Sequence, residues 1–73
     1  MTIERTCTCI KGVELFNDYN QEEKIGFIEC REYQVDIIIY LNHISYKVYQ
    51  NGGWYHYATL EEKDFNEYFR LIE

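Results

Sequence analysis

The three cysteines and two histidines of this chain could in principle form a zinc site: Cys7, Cys9, Cys30, His43 and His56. Structural zinc sites usually take two cysteines separated by two to four residues, but a single residue separates Cys7 from Cys9. In a strand that spacing puts both thiols on one face, which is typical of small buried side chains. The pattern does not predict a metal site, although a metal-binding regulator that uses Cys7, Cys9 and Cys30 stays open as an alternative.

Catalysis by a nucleophile requires a thiol or hydroxyl close to a base. Cys30 with His43 or His56 is the one combination available, and nothing in the spacing of these residues indicates that they meet. The sequence has neither a glycine-rich phosphate loop nor a G-x-S-x-G motif. A chain of this length also rarely encloses a substrate pocket of several hundred cubic ångströms. We therefore predict no catalytic residues, no cofactor and no enzymatic activity.

The balance of charged residues limits the classes of partner. The chain has 13 acidic and 7 basic residues, a formal net charge of −6 at pH 7. Because nucleic acids and anionic membranes are bound by basic surfaces, direct binding to either is not expected. The predicted partner is a protein with a basic surface, to which Glu22, Glu23 and Asp36 could present carboxylates in the way that nucleic acids present phosphates. Formation of a homodimer also stays open.

The N-terminal residues MTIERTCTC contain no apolar run of the kind found in a signal peptide, and the chain has an odd number of cysteines. No stretch is apolar over the roughly 18 residues that a membrane span requires. The composition is rich in Ile, Tyr and Asn and poor in Ala and Pro, as an AT-rich coding sequence yields. We expect a cytoplasmic protein with reduced thiols, from a low-GC bacterium or one of its phages.

Alternating apolar and polar residues predict an antiparallel sheet of about five strands. The clearest strand covers residues 33–41, where Tyr33, Val35 and Ile37 begin a series of apolar residues on one face. Polar, turn-forming residues at 17–23 predict a loop. The remaining strands are expected at 3–10, 24–31, 44–50 and 54–58.

The first hairpin turn is predicted at Asn42 and His43, because asparagine tolerates positive φ angles better than most residues. A two-residue turn at this point pairs Ile39 with Tyr46. It also opposes apolar residues along the rest of both strands. This agreement between the turn and the apolar pattern favours the hairpin.

The second hairpin turn is predicted at Asn51–Gly52, since Asn-Gly is the strongest short hairpin signal. A two-residue turn would direct Tyr55 and Tyr57 inward and leave Trp54 and His56 on the outer face of the sheet. A three-residue turn would exchange these two faces in the last strand. The sequence leaves both turn lengths open.

A short C-terminal helix is predicted from about Leu60 to Arg70. Thr59 and Glu62 fit a capping box. Phe65 and Phe69 lie on one apolar stripe at helical spacing. Both phenylalanines are therefore expected in the core, packed against the sheet.

Together these elements predict one small domain, residues 1–73, of the α+β class and rich in strands. Its antiparallel sheet of about five strands could take the form of an SH3-like barrel, followed by the short helix. Because folding of so short a chain buries only about 60% of its surface, some aromatic residues must stay exposed. The sheet is therefore expected to carry an exposed aromatic surface.

The outer face of the sheet carries the candidate partner-binding site. Tyr40 and Tyr49 point outward with either turn length, and Trp54 and His56 join them with the two-residue turn. Tyrosine and tryptophan are enriched among the residues that dominate binding energies. The competing interpretation is that a closing barrel or the first strands cover these rings. The predicted site also includes the acidic residues named above: Glu22, Glu23 and Asp36.

The C-terminal DFNEYFRLIE, after NGGWYHYATLEEK, resembles the ends of many short phage and prophage proteins. The segment CIKGVELF resembles the first strand of small SH3-like barrels among them. Small, acidic, aromatic-rich phage proteins of this kind include the anti-CRISPR and other anti-defence inhibitors. The resemblance implies a non-enzymatic inhibitor that binds and blocks a host defence protein, such as a CRISPR effector nuclease at its nucleic-acid-binding surface. A protein that sequesters a nucleotide signal between aromatic rings is an alternative.

Overall fold

Residues 1–50 and 54–72, which a computed structural model describes, form seven strands and one short helix. The fold is α+β and rich in strands, as predicted. The elements in chain order are β1 (Thr2–Cys9), β2 (Val13–Phe16), β3 (Lys24–Phe27), β4 (Glu32–Ile39), β5 (Ile44–Tyr49), β6 (Tyr57–Glu61), α1 (Glu62–Tyr68) and β7 (Phe69–Leu71).

Five strands form one antiparallel sheet in the order β6-β5-β4-β1-β7. The sheet curls into a half-barrel. Its two outermost strands, β6 and β7, do not pair with each other within the described residues, so the predicted barrel form is not closed there. The strands β2 and β3 make a separate two-stranded hairpin.

The hydrophobic core lies between the inner face of the five-stranded sheet, the β2–β3 hairpin and α1. Phe65 of α1 stacks on Tyr46 of β5 with ring centroids 4.2 Å apart. Phe27 of β3 meets Phe69 of β7 edge-on at 5.4 Å. Phe65 and Phe69 are 1% and 0% exposed, which confirms that both belong to the core. The other buried apolar residues are Cys7, Cys9, Ile25, Tyr33, Val35, Val48 and Ala58.

The first hairpin turns one residue earlier than predicted. Ile39 pairs with Ile44, and within the 40–43 turn the Tyr40 amide donates to the His43 carbonyl at 2.9 Å, so the turn is centred on Leu41 and Asn42. The predicted register, which placed Ile39 opposite Tyr46, is therefore wrong by two residues. A tight two-residue turn of the favoured type needs positive φ angles, and Asn42 does not adopt one. Because side chains alternate with a period of two, this shift keeps the predicted faces and still opposes apolar residues.

The second hairpin pairs in a register that neither of the two predicted turn lengths gives. The turn at Asn51–Gly52 lies outside the described residues. Val48 pairs with Ala58, where the two-residue turn would have placed Tyr55. The strand predicted at 54–58 begins only at Tyr57.

An odd shift of this kind reverses the faces of β6. Ala58 and Leu60 point to the core, while Tyr57, Thr59 and Glu61 point outward. The predicted register would have directed the polar Thr59 inward and left Leu60 outside. Burial of the apolar residues of β6 therefore determines the pairing. The inward and outward faces of β6 are those that the predicted three-residue turn would give.

The helix α1 begins later and ends earlier than predicted. Thr59 lies in β6, so the predicted capping box does not form, and Glu61 takes the N-cap position without a side-chain cap hydrogen bond. The helix ends at Tyr68 because residues 69–71 pair with β1 at Cys7–Cys9. That pairing satisfies backbone groups at the edge of β1, which overrides the helical pattern of the sequence. No helix in the described ranges is long and apolar enough to cross a membrane.

Candidate partner-binding site

The face of the five-stranded sheet opposite the core, called the outer face below, was predicted to carry the aromatic site. The register places Asp36 of β4 between Glu4 of β1 and Lys47 of β5. It places Tyr49 of β5 beside Tyr57 of β6. All five side chains are exposed or half-buried, so this part of the outer face meets solvent.

Tyr49 and Asp36 are joined by a hydrogen bond. The Tyr49 hydroxyl donates to Oδ2 of Asp36 at 2.8 Å. Partial burial raises the pKa of the Tyr49 phenol above its ordinary value, and the hydrogen bond to Asp36 raises it further, against a smaller opposing effect of Lys47. The phenol therefore remains a donor at neutral pH and holds the carboxylate in one orientation.

Lys47 lies over aromatic rings of the outer face. Its Nζ is 4.1 Å from the centre of the Tyr57 ring and 5.4 Å from that of the Tyr49 ring. Cation–π contacts of this kind stabilise the lysine in place by about 0.5–1 kcal/mol at exposed sites. In the residues that the structure describes, neither Glu4 nor Asp36 forms an ion pair. This part of the outer face thus presents two carboxylates that are not in ion pairs with other described residues.

A shallow cleft of about 110 Å³ opens on the outer face. The carboxylates of Glu4 and Asp36, the amide of Gln34 and the rings of Tyr49 and Trp54 line it, and we call it the outer-face cleft. Trp54 precedes β6 and is 79% exposed. The structure therefore brings together three of the predicted site residues: Asp36, Tyr49 and Trp54.

Two residues of the outer-face cleft, Glu4 and Gln34, were missed by the sequence analysis. Glu4 is far from β4 in the sequence and comes to the cleft because it pairs with Asp36. Gln34 comes there because it pairs with Tyr49. The alternation of apolar and polar residues along β1 and β4 could indicate which face Glu4 and Gln34 occupy. It could not bring them together, because the pairing of β1 with β4 was not predicted.

The loop between β2 and β3 is fastened to the edge of β6. Asn17, which is 1% exposed, donates to the Tyr55 carbonyl at 2.7 Å and accepts from the Tyr57 amide at 3.3 Å. The Asp18 carboxylate accepts from the Thr59 amide at 2.7 Å, and the Asp18 amide donates to the Tyr57 carbonyl at 2.9 Å. These bonds occupy backbone groups that another chain could otherwise pair with.

His56 belongs to this loop contact and not to the outer-face cleft. Its Nε2 lies 3.1 Å from Oε1 of Glu23. The neighbouring Glu22 is exposed in the same loop. His56, Glu22 and Glu23 do not line the outer-face cleft, so their contact with a partner stays a prediction.

An exposed pair of tyrosines lies at the same loop. The rings of Tyr19 and Tyr55 meet edge-on with centroids 5.0 Å apart. They are 60% and 58% exposed. Tyr19 was not predicted to contribute to a site, since the sequence shows it only as one aromatic residue within a polar loop. Its association with Tyr55 depends on the contact between the loop and the β6 edge.

Tyr40 is separate from the outer-face cleft. It lies in the 40–43 turn, where its ring stacks on His43 with centroids 4.5 Å apart. Tyr49 pairs with Gln34, six residues before Tyr40. At about 3.3 Å per residue, that is a separation of about 20 Å along the strand. Tyr40 is exposed, as the prediction of an outward ring requires, but it does not line the outer-face cleft.

The cysteines are all free, and two of them are buried. Burial raises the pKa of the Cys7 thiol to about 12, and it also raises the pKa of Cys9. Both thiols are therefore protonated at neutral pH, whereas nucleophiles and metal ligands are thiolates. Among the described residues, no group of three or more His, Cys, Asp or Glu side chains is arranged to hold a metal ion. These features give no support to the metal-regulator alternative.

Comparisons of the chain with protein families, with curated proteins and with solved structures gave no significant match.

Proposed function

We propose that this chain is a non-enzymatic inhibitor that acts in the cytoplasm of a bacterial host. It binds and blocks a defence protein at a basic surface that normally binds nucleic acid. A CRISPR effector nuclease is the target class suggested by the resemblance of the sequence to small acidic phage proteins. The observation that carries the proposal is the outer face, where the half-buried ring of Tyr49 and the exposed ring of Trp54 stand beside two carboxylates that form no ion pair among the described residues.

The charge of the protein supports a basic partner. A net charge of −6 favours fast association with a positive surface and disfavours direct contact with nucleic acid. On the outer face, the ammonium of Lys47 is held over the Tyr57 ring at 4.1 Å. In the outer-face cleft, the carboxylates of Glu4 and Asp36 are therefore the charges offered to a partner.

The aromatic residues of the outer-face cleft supply the anchors. Trp54 is 79% exposed, and Tyr49 is fixed by its hydrogen bond to Asp36. Large rings that are already oriented lose little side-chain entropy on binding, and such residues dominate many interfaces. An interface centred on these two rings would leave the core of the protein unchanged.

Sequestration of a nucleotide signal is a weaker candidate. The outer-face cleft, at about 110 Å³, is smaller than the roughly 300–1,000 Å³ of typical ligand pockets. A larger cleft of about 340 Å³ is lined by His43, Ile44, Glu61, Glu62 and Lys63. Carboxylates line both clefts, and they repel the phosphates of a nucleotide.

The proposal is tested in bacterial strains that each carry a different active CRISPR nuclease. Expression of the protein is expected to restore transformation by a targeted plasmid in at least one strain. The Tyr49→Ala variant should fold but weaken binding of the purified nuclease by about 2 kcal/mol or more, as expected for a hot-spot residue. Phe16→Ala is the matched control, because Phe16 is an exposed ring, 58% accessible, on the separate β2–β3 hairpin.

Two results would contradict the proposal. The first is that no strain is protected, and the protein neither captures a nuclease from these strains nor competes with nucleic acid for binding to one. The second is that Tyr49→Ala and Phe16→Ala bind the nuclease as tightly as the parent chain, which would exclude the outer face as the interface.

A further inference from the structure

We propose that the outer-face cleft is a subsite for one arginine side chain, carried by a basic segment of the partner protein. The guanidinium would lie between the carboxylates of Glu4 and Asp36 and against the rings of Tyr49 and Trp54. This inference rests on the proposed function, since it names the group that the basic partner inserts.

The two carboxylates of the cleft face each other across a strand pair. Glu4 of β1 lies directly opposite Asp36 of β4. The Ile39 amide donates to the Met1 carbonyl, so the backbone bonds of this pair of strands are made by odd-numbered residues. Glu4 and Asp36 thus form a non-hydrogen-bonded pair, in which side chains are closest, with Cβ atoms about 4.5–5.5 Å apart.

Like charges in this arrangement destabilise a sheet unless a cation lies between them. Lys47 lies across from Asp36 in β5, but within the described residues no cation forms an ion pair with Glu4 or Asp36. The Lys47 ammonium is over the Tyr57 ring, and the Arg5 guanidinium donates to the Glu4 carbonyl at 2.9 Å, not to a carboxylate. A cation from outside would remove the repulsion between Glu4 and Asp36.

The rings of the cleft favour a guanidinium over an ammonium. A guanidinium is planar, stacks on aromatic rings and donates several hydrogen bonds in a fixed plane. Oδ2 of Asp36 already accepts from Tyr49, so Oδ1 of Asp36 and the Glu4 carboxylate remain as acceptors. Trp54, 79% exposed, can cover the bound group on its solvent side.

The size and charge of the cleft indicate what kind of group can bind there. A volume of about 110 Å³ accommodates the end of one long side chain, and the lining carboxylates exclude an anion. The partner inferred above is a nucleic-acid-binding surface, and such surfaces are rich in arginine because it binds phosphate in a bidentate manner. The occupant is therefore an arginine of that surface.

The test uses the single tryptophan of the chain as a reporter. Because Trp54 lines the cleft, its fluorescence should change when the folded protein is titrated with an acetylated peptide of alternating arginine and glycine. The lysine–glycine peptide should bind more weakly. Glu4→Gln and Asp36→Asn should each weaken binding of the arginine peptide about tenfold, since each removes a charge-assisted contact.

Glu14→Gln is the matched control. It changes the net charge by the same amount as Glu4→Gln, but Glu14 is an exposed residue of β2 on the separate hairpin. It should leave the dissociation constant within about twofold of the parent value, because exposed charges at a distance are screened by salt. Each variant is first shown to melt cooperatively.

Three results would overturn the subsite. They are equal binding of the arginine and lysine peptides, an equal loss in Glu14→Gln and Glu4→Gln, and no change of Trp54 fluorescence with either peptide. If Glu4→Gln still binds and inhibits the nuclease fully while Tyr49→Ala does not, the arginine subsite is refuted but the proposed function is not. If the arginine peptide binds in the cleft but the protein neither binds nor inhibits any nuclease, the proposed function is refuted but the arginine subsite is not.

Discussion

At the scale of single residues, Cys30 occupies a backbone position that glycine normally takes. Its φ angle is 73°, the left-handed region. The Cys30 amide donates to the Cys9 carbonyl at 2.8 Å, and the Cys9 amide donates to the Arg31 carbonyl at 2.9 Å. This is the hydrogen-bond pattern of a β-bulge whose first residue is usually glycine. A residue with a Cβ atom is strained there by about 1–2 kcal/mol.

We predict that Cys30→Gly stabilises the protein. Relief of the left-handed strain exceeds the added entropy of glycine in the unfolded chain, for a net gain of about 0.5–1 kcal/mol. The free energy of unfolding, measured by denaturant titration under reducing conditions, checks the change. Cys30→Ala is the control, because it removes the thiol but keeps the Cβ atom, and it should stay within about 0.5 kcal/mol of the parent. Equal stabilisation by both variants would refute the strain argument.

At the scale of elements, the β2–β3 loop covers the free edge of β6, where a sixth strand could otherwise pair. Asn17 and Asp18 satisfy the edge of β6 with two side chains and one backbone amide. An unprotected edge strand tends to pair with other chains. The loop therefore positions the segment before β6, including Trp54, as well as blocking this edge.

We predict that Asn17→Ala destabilises the protein by about 2 kcal/mol. The change removes a buried side chain and leaves the partly buried Tyr57 amide and Tyr55 carbonyl without their side-chain partner. Thermal or denaturant unfolding measures the loss. Asn20→Ala in the same loop is the control, because the Asn20 side chain accepts one exposed hydrogen bond, from the Glu22 amide, and its loss should cost less than about 0.5 kcal/mol. Similar effects of the two substitutions would mean that the loop does not hold β6.

At the scale of the whole molecule, charge and shape have separate roles in the proposed binding. The acidic residues of the loop, Glu22 and Glu23, lie outside the outer-face cleft. The net charge of −6 acts at a distance, whereas the rings of Tyr49 and Trp54 act only on contact. Long-range charge mainly changes association rates, and contact residues mainly change dissociation rates.

We predict that the double change Glu22→Gln and Glu23→Gln slows association with the captured nuclease about threefold or more at low salt. The dissociation rate should stay the same, since neither residue contacts the cleft. Surface plasmon resonance at two salt concentrations measures both rates. At high salt the parent and the variant should associate equally, because the steering charges are screened. A change confined to the dissociation rate would instead place the loop within the interface.

Several features of this protein could be predicted from its sequence because they depend on local patterns. The alternation around Val35 and the spacing of Phe65 and Phe69 mark residues that must be buried, and all three are in the core. The same alternation predicts an antiparallel, strand-rich fold, which the structure confirms. The outward position of Tyr49 follows from the alternation of side chains along β5, because both predicted turn lengths and the observed pairing place it on the outer face.

The register, the ends of the helix and the composition of the candidate site were decided only by the tertiary structure. Residues 69–71 follow a helical pattern but become β7, because the edge of β1 offers them hydrogen bonds. The outer-face cleft joins Glu4 to Asp36 and Tyr49, residues distant in the sequence, through the pairing of β1, β4 and β5. A local pattern sets the face of a side chain. Its neighbours across the sheet depend on which pairing buries the most apolar surface in the complete fold.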